Sequence, residues 1–175
     1  MKRLALIAVV LVFGISCDDS PTSPSDPNVL KFTAILLPSN EVPAVTNADA
    51  GASGTMQLTM TVTRDTGGTI TGATYDFAVN FTGFPANTTL TGAHIHNGGA
   101  GNNAPVVVGL PLTGTDTAVS TGQGTLTKTG LTANNAAQAA SVAQGIANNP
   151  GGNYFNVHTS INTGGAIRGQ LVKAN

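Results

Sequence analysis

Three histidines are the residues of this chain best suited to chemistry, and all of them lie in two short segments. His94 and His96 flank Ile95 in the sequence TGAHIHNG, and His158 lies near the end of NYFNVHT. Residues two apart share one face of a β-strand, so His94 and His96 can present their imidazoles together. With His158 as a third ligand from a neighbouring strand, this pattern suits a Zn²⁺ or Cu²⁺ site.

Further polar side chains fall on the same predicted face as the histidines. If Phe155 and Val157 point into a core, the residues that alternate with them point outward. The same reasoning buries Ile167 and Leu171 and places Arg168 on the opposite face. The sequence therefore predicts a polar cluster on the outside of the β-structure, formed by His94, His96, Tyr154, Asn156, His158 and Arg168.

The cluster admits three interpretations. In the first, its side chains and Glu41 form hydrogen bonds that hold strands and loops together. We rank this hypothesis first because the Arg168 guanidinium is permanently charged and would repel a nearby divalent cation. The second is a metal site at His94, His96 and His158, with redox chemistry if the metal is copper. The third is a site for a small or anionic ligand.

A catalytic site is not predicted from these residues. No serine or cysteine can be paired with a histidine and an acid by spacing, so covalent hydrolysis has no support in the sequence. We therefore expect a non-enzymatic binding or structural module, with metal binding as the alternative function.

The elements that position these residues are short strands. Apolar and polar residues alternate from Met56 to Val62 and from Tyr75 to Phe81, on either side of the turn-forming sequence RDTGG. Other strands are predicted at 30–37, 90–96, 105–110, 124–128, 154–159 and 166–173. An Ala- and Gln-rich segment at 132–147 predicts one short crossover helix. The expected fold is all-β, an antiparallel Greek-key-like sandwich or barrel of about eight strands.

The N-terminal segment has the pattern of an exported protein. Lys2 and Arg3 precede an apolar run of 12 residues at 4–15. A bilayer-spanning helix needs about 20 residues, so this run is a signal sequence. It ends in Gly14-Ile15-Ser16-Cys17, which resembles the lipobox of bacterial lipoproteins, where the cysteine is lipidated and becomes the new N-terminus. We expect a signal peptide at 1–16, lipidated Cys17 with a flexible Pro- and Ser-rich tether at 17–28, and one domain at 29–175.

These boundaries predict a protein of the bacterial cell envelope, anchored by lipid to a membrane and facing the periplasm or the exterior. Its expected partners are that membrane and an envelope or extracellular protein or ligand. Only 9% of the residues are charged, and loss of Lys2 and Arg3 leaves five basic residues against eight acidic ones. Nucleic-acid binding is therefore excluded. Cys17 is the only cysteine, so the chain contains no internal disulfide.

Five motifs resemble the CHRD (chordin) domain family and occur in that family's order. They are EVP at 41–43, AHIH at 93–96, PVVV at 105–108, YFNVHT at 154–159 and GAIRGQL at 165–171. The family occurs in animal chordins, which bind growth factors, and in many bacterial exported proteins. The resemblance implies a fold and a site, and it implies no activity. Ala166 stands where relatives often carry an acid, which would be a counter-ion for Arg168.

Overall fold

A computed structural model describes residues 26–174; the predicted leader, Cys17 and most of the tether lie outside these residues. Two antiparallel sheets and one short helix, α1 (Ala139–Asn148), make up the fold. The strands are β1 (Val29–Leu36), β2 (Ser53–Arg64), β3 (Ile70–Thr82), β4 (Thr88–His96), β5 (Val106–Gly109), β6 (Ala118–Val119), β7 (Gly124–Leu131), β8 (Tyr154–Thr159), β9 (Ile167–Gln170) and β10 (Val172–Lys173). The predicted all-β antiparallel sandwich is confirmed, and within residues 26–174 neither sheet closes into a barrel.

The core lies between the two sheets. The larger sheet has the strand order β10-β1-β2-β3-β7, and the smaller has the order β5-β4-β8-β9 with β6 paired to β4. In β2 the alternating residues Met56, Leu58 and Met60 are buried, as the pattern predicts. Phe77 of β3 meets Phe155 of β8 across the core, with ring centroids 5.9 Å apart. The inward side of β8 is thus fixed by packing, which determines where its other residues point.

The helix is shorter than the sequence predicts. The predicted start at 132 was wrong, because α1 begins at Ala139. The side chain of Asn135 accepts a hydrogen bond from the Ala137 N–H and caps a separate 3-10 turn at Ala136–Gln138. Ala143 and Ile146 are buried on one face of α1. Within the described part of the chain, no helix has both the length and the apolar character needed to cross a membrane.

Strand β9 connects the two sheets at one corner of the sandwich. Leu37, just after β1, and Arg168 exchange two backbone hydrogen bonds of 3.0 and 3.1 Å. The next residue, Gly169, passes so close to β1 that a Cβ atom there would lie 2.1 Å from the Ile35 carbonyl oxygen. Only glycine permits this approach, so Gly169 fixes the distance between β9 and β1.

Replacing Gly169 with alanine should therefore force β9 away from β1. We expect Gly169→Ala to lower the free energy of unfolding by about 3 kcal/mol, the upper part of the range for overpacked interiors. Urea denaturation measures this change. A matched control is Gly145→Ala in α1, where no heavy atom lies within 4 Å of the new Cβ. Because alanine has a higher helix propensity than glycine, the free energy of unfolding of the control should rise by up to about 1 kcal/mol. Equal effects of the two substitutions would contradict the close-approach argument.

Candidate metal centre

Strands β4 and β8 bring the three histidines together. In the antiparallel register, His94 pairs with Asn156, His96 pairs with Tyr154, and His158 pairs with Gly92. Ile95 of β4 and Val157 of β8 are fully buried in the core. The histidines therefore lie on the opposite face of the smaller sheet, with the strand parity that the sequence predicts.

The imidazole nitrogens of His94, His96 and His158 converge. One nitrogen from each ring lies within 4.8 Å of the other two. His94 Nδ1 and His158 Nε2 are 3.2 Å apart. Tetrahedral ligands that are each ~2.0–2.1 Å from a Zn²⁺ ion are about 3.4 Å from one another. The spacing of this pair already fits a shared metal ion.

Two of the imidazoles are oriented by backbone carbonyls. His96 Nδ1 donates to the Ala104 carbonyl oxygen at 2.7 Å, and His158 Nδ1 donates to the Thr163 carbonyl oxygen at 2.9 Å. A neutral imidazole that carries its proton on Nδ1 has its lone pair on Nε2. In His158 this Nε2 also lies 3.0 Å from Asn156 Oδ1 and 3.2 Å from His94 Nδ1. His96 Nε2 is buried and has no hydrogen-bond partner among the described residues. This is the orientation that metal-binding histidines take from their supporting contacts.

All three imidazoles are held in their neutral form. Burial is the main cause that lowers the pKa of His94, to about 4, and the neighbouring His158 and His96 lower it further. Burial also lowers the pKa of His96 and of His158. Near neutral pH the histidines are therefore uncharged, which is the form that coordinates a metal.

The polar cluster lies on the face of the smaller sheet that points away from the core, but most of this face does not meet solvent. Loops at 98–104 and 161–165 contribute carbonyls to the imidazoles and cover this face of the sheet. His94 is the partly exposed member of the predicted set. The others are buried: Glu41, His96, Tyr154, Asn156, His158 and Arg168. Strand alternation gives the face on which a side chain lies, and long loops decide whether that face meets water.

Arg168 is 1% exposed and forms hydrogen bonds with a loop, not with the histidines. Its Nη2 donates to the carbonyl oxygens of Gly99 and Asn102 at 3.0 and 2.9 Å. Its guanidinium carbon lies 3.3 Å from the centroid of the Tyr154 ring, a cation–π contact. The side chain thus holds the 98–104 loop against β8 and β9.

Tyr154 stands between the arginine and the histidines. Its ring stacks on His96 with centroids 4.6 Å apart and planes 5° apart, and β8 lies between the strands that carry His96 and Arg168. Burial is the main cause that lowers the pKa of His96, and the charge of Arg168 is the smallest of its causes. The guanidinium therefore faces the tyrosine ring and the loop carbonyls, with Tyr154 between it and His96.

Glu41 is buried beside the cluster, 6% exposed. Burial raises its pKa to about 7, against the lowering effects of the Arg168 charge and of the Asn156 side chain. Its Oε1 has no hydrogen-bond partner within the described residues. Among residues 26–174 the one ion pair joins Lys128 to Asp116, so Glu41 and Arg168 do not form a salt bridge.

Sequence reasoning missed the groups that orient the imidazoles. Ala104 and Thr163 act through backbone carbonyls, which leave no signal in side-chain type. Asp49 was also missed; it is fully buried and accepts hydrogen bonds from Thr159 and Asn162, on either side of the turn after β8. Asp49 reaches its partners only when segments far apart in the sequence come together in the fold. The spacing of neighbouring residues could therefore not have indicated these contacts.

The shared contacts of His96 and Arg168 predict energetic coupling. Both side chains touch Tyr154 and the 98–104 loop. A double-mutant cycle with His96→Ala and Arg168→Ala should give a coupling energy above about 0.5 kcal/mol in urea denaturation. The control cycle combines Arg168→Ala with Leu126→Ala in β7 of the larger sheet. The two changes in the free energy of unfolding should add there. Additivity in the first cycle would show that the cluster does not act as a unit.

Comparison with known proteins shows the family of the chain. The family model for the CHRD domain matches residues 32–171. No curated protein and no solved structure gives a significant match to the chain. The matched residues run from β1 to the residue after β9 and include the three histidines, Glu41 and Arg168. The chain therefore belongs to the CHRD domain family.

Proposed function

We propose that this protein is a non-enzymatic, lipid-anchored module of the cell envelope that binds Zn²⁺ or Cu²⁺ through His94, His96 and His158. The observation that carries the proposal is the buried His96 Nε2, which has no hydrogen-bond partner among the described residues. One ring nitrogen of His96 lies within 4.8 Å of a nitrogen from each of the other two imidazoles. A buried polar atom without a partner costs free energy unless a ligand satisfies it, and a metal ion would do so.

The donor set suits a metal of borderline softness. Three neutral imidazoles without a thiolate are typical ligands of Zn²⁺ and Cu²⁺. A bound ion would join β4 to β8 by coordinate bonds, and copper would add a redox centre. Three protein ligands leave further coordination positions, and the partly exposed side of His94 gives these positions a path to solvent.

A structural role accounts for the other half of the cluster. The guanidinium of Arg168 donates to two loop carbonyls and contacts Tyr154, and the Gln170 side chain donates to the Gly98 carbonyl oxygen at 3.1 Å. These contacts hold the 98–104 loop over the sheet. The structural and metal hypotheses therefore apply to neighbouring parts of the site, with Tyr154 at the boundary.

The envelope location is supported by the sequence. A basic start, a short apolar run and a cysteine after small residues are the features of a lipoprotein leader. The tether at 17–28 would let the domain extend from the membrane toward a protein or ligand partner. The family resemblance to chordins, which bind growth factors, supports a binding role over an enzymatic one.

Elemental analysis tests the metal proposal directly. Protein purified without a His-tag, incubated with excess Zn²⁺ or Cu²⁺ and then desalted, should retain one equivalent of metal. His96→Ala should retain far less, since it removes the buried donor nitrogen. Metal content well below one equivalent in the parent protein, or equal content in parent and variant, would contradict the proposal.

A further inference from the structure

Two ionisable side chains near the histidines are fully buried, and among the described residues no hydrogen bond joins either of them to an imidazole. Arg168 is 1% exposed and Asp49 is 0% exposed. Burying a charge is costly unless hydrogen bonds compensate it, and each of these side chains forms at least two short hydrogen bonds. Each of them is bonded to a different loop, and each loop supplies the carbonyl that orients one histidine.

Asp49 holds the turn that orients His158. Its Oδ2 accepts hydrogen bonds from Thr159 Oγ1 and from Asn162 Nδ2, both at 2.6 Å. Thr159 Oγ1 in turn accepts the Asn162 N–H at 3.0 Å, which closes the turn. The next residue, Thr163, provides the carbonyl that accepts from His158 Nδ1. The position of that carbonyl therefore depends on a carboxylate from a segment more than 100 residues earlier.

Arg168 holds the loop that orients His96. Its two short hydrogen bonds go to the carbonyl oxygens of Gly99 and Asn102. Asn102 lies two residues before Ala104, at the end of the loop. The Ala104 N–H donates to the Tyr154 hydroxyl at 3.3 Å, and Arg168 packs on that same tyrosine ring. The Ala104 carbonyl then accepts from His96 Nδ1 at 2.7 Å.

We propose that Asp49 and Arg168 are positioning residues, each of which sets the tautomer and orientation of one histidine through its loop: Asp49 acts on His158, and Arg168 acts on His96. The nitrogen of an imidazole that carries the proton is set by the hydrogen bond that its ring makes. If the carbonyl is displaced, the Nδ1 proton loses its acceptor and can move to Nε2. In His158, Asn156 Oδ1 lies 3.0 Å from Nε2 and would accept that proton. The part of this inference that concerns metal affinity rests on the proposed function; the tautomer assignment does not.

Nitrogen NMR of the metal-free protein tests the assignment, because the ¹⁵N shifts and couplings of each imidazole report which nitrogen carries the proton. The parent should show the Nδ1–H form at both His96 and His158. Asp49→Asn should change the tautomer population of His158 and leave His96 as in the parent. Arg168→Met should do the reverse. A general loss of stability would affect both rings, so this crossed pattern separates positioning from a merely structural role.

Milder variants keep the test decisive if either substitution prevents folding. Asn162→Ala removes one donor to Asp49, and Tyr154→Phe removes the acceptor of the Ala104 N–H while it keeps the ring. They should give the same crossed pattern with smaller amplitude. Asp76→Asn is the matched control, since Asp76 Oδ1 accepts the Gly130 N–H at 2.7 Å in the other sheet. It should leave both rings unchanged.

Metal affinity gives the second measurement. In competition with a chelating dye for Zn²⁺ and Cu²⁺, the Asp49 and Arg168 variants should each bind about 10–100-fold more weakly than the parent, the effect typical of contacts that orient a metal ligand. Asp76→Asn should bind as the parent does. If both rings keep the Nδ1–H form in all variants, the positioning proposal is overturned. If the crossed pattern is found but the parent binds no metal, the proposed function fails and the positioning assignment stands.

Discussion

Excess Zn²⁺ or Cu²⁺ should raise the melting temperature of the chelator-treated protein and leave that of the His96→Ala variant unchanged. A ligand that binds only the folded state at 100 times its dissociation constant adds about 2.7 kcal/mol of stability. For a domain of this size, that corresponds to a rise of roughly 5–11 °C. Loss of His96 removes the buried Nε2 and leaves two ligands, so the same metal concentration should give little stabilisation. Differential scanning fluorimetry or calorimetry measures both values.

The control for this experiment must lower stability without touching the site. Leu126 of β7 is 1% exposed in the larger sheet, so Leu126→Ala should melt earlier and still gain the full metal-dependent rise. His94→Ala and His158→Ala should behave like His96→Ala. An equal rise in the parent and in all three histidine variants would place the metal elsewhere. No rise in the parent would reject the site.

Replacing Cys17 with serine should move the protein from the membrane fraction to the soluble fraction. The cysteine thiol is the only acyl acceptor that a lipobox provides, and serine cannot replace it. Two or more acyl chains give stable membrane attachment, and the domain has no other anchor that the sequence predicts. Fractionation of cells that express each form, followed by detection of the domain, measures the change.

Two comparisons make the Cys17→Ser result specific. Ser16→Ala keeps a small residue before the cysteine and should remain in the membrane fraction. Metabolic labelling with a fatty acid should mark the parent and not Cys17→Ser. A Cys17→Ser protein that stays as tightly bound as the parent would contradict the lipid anchor.

The sequence predicts the strands well because their pattern is local. Alternation from Met56 to Val62 and from Tyr75 to Phe81 reports directly which residues face the core, and β2 and β3 follow it. The two-residue strand β6 was not predicted, since Ala118 and Val119 are too few to show a pattern. The predicted start of the helix was wrong because the Asn135 side chain caps a separate 3-10 turn near the beginning of the predicted segment.

The candidate site could be predicted only in part. The spacing of His94 and His96 and the parity of His158 suffice to place the three imidazoles on one face. Burial of that face could not be predicted, because it depends on how the loops at 98–104 and 161–165 fold back over the sheet. The contacts of the Arg168 guanidinium with Tyr154 and with the loop carbonyls could not be predicted either, because they depend on the path of the 98–104 loop.

Because the acceptors for His96 and His158 are main-chain carbonyls, the side chains of Ala104 and Thr163 carry no part of those contacts. Substitutions at these two positions can accumulate during evolution without changing how the imidazoles point, provided that the loop keeps its path. Gly165 has no such freedom, because its φ of 134° is one that residues with a Cβ atom rarely adopt, and a Cβ atom there would also meet the Glu41 carboxylate. A deep mutational scan should therefore find tolerance at 104 and 163 next to intolerance at 165, a profile set by the backbone route through each loop.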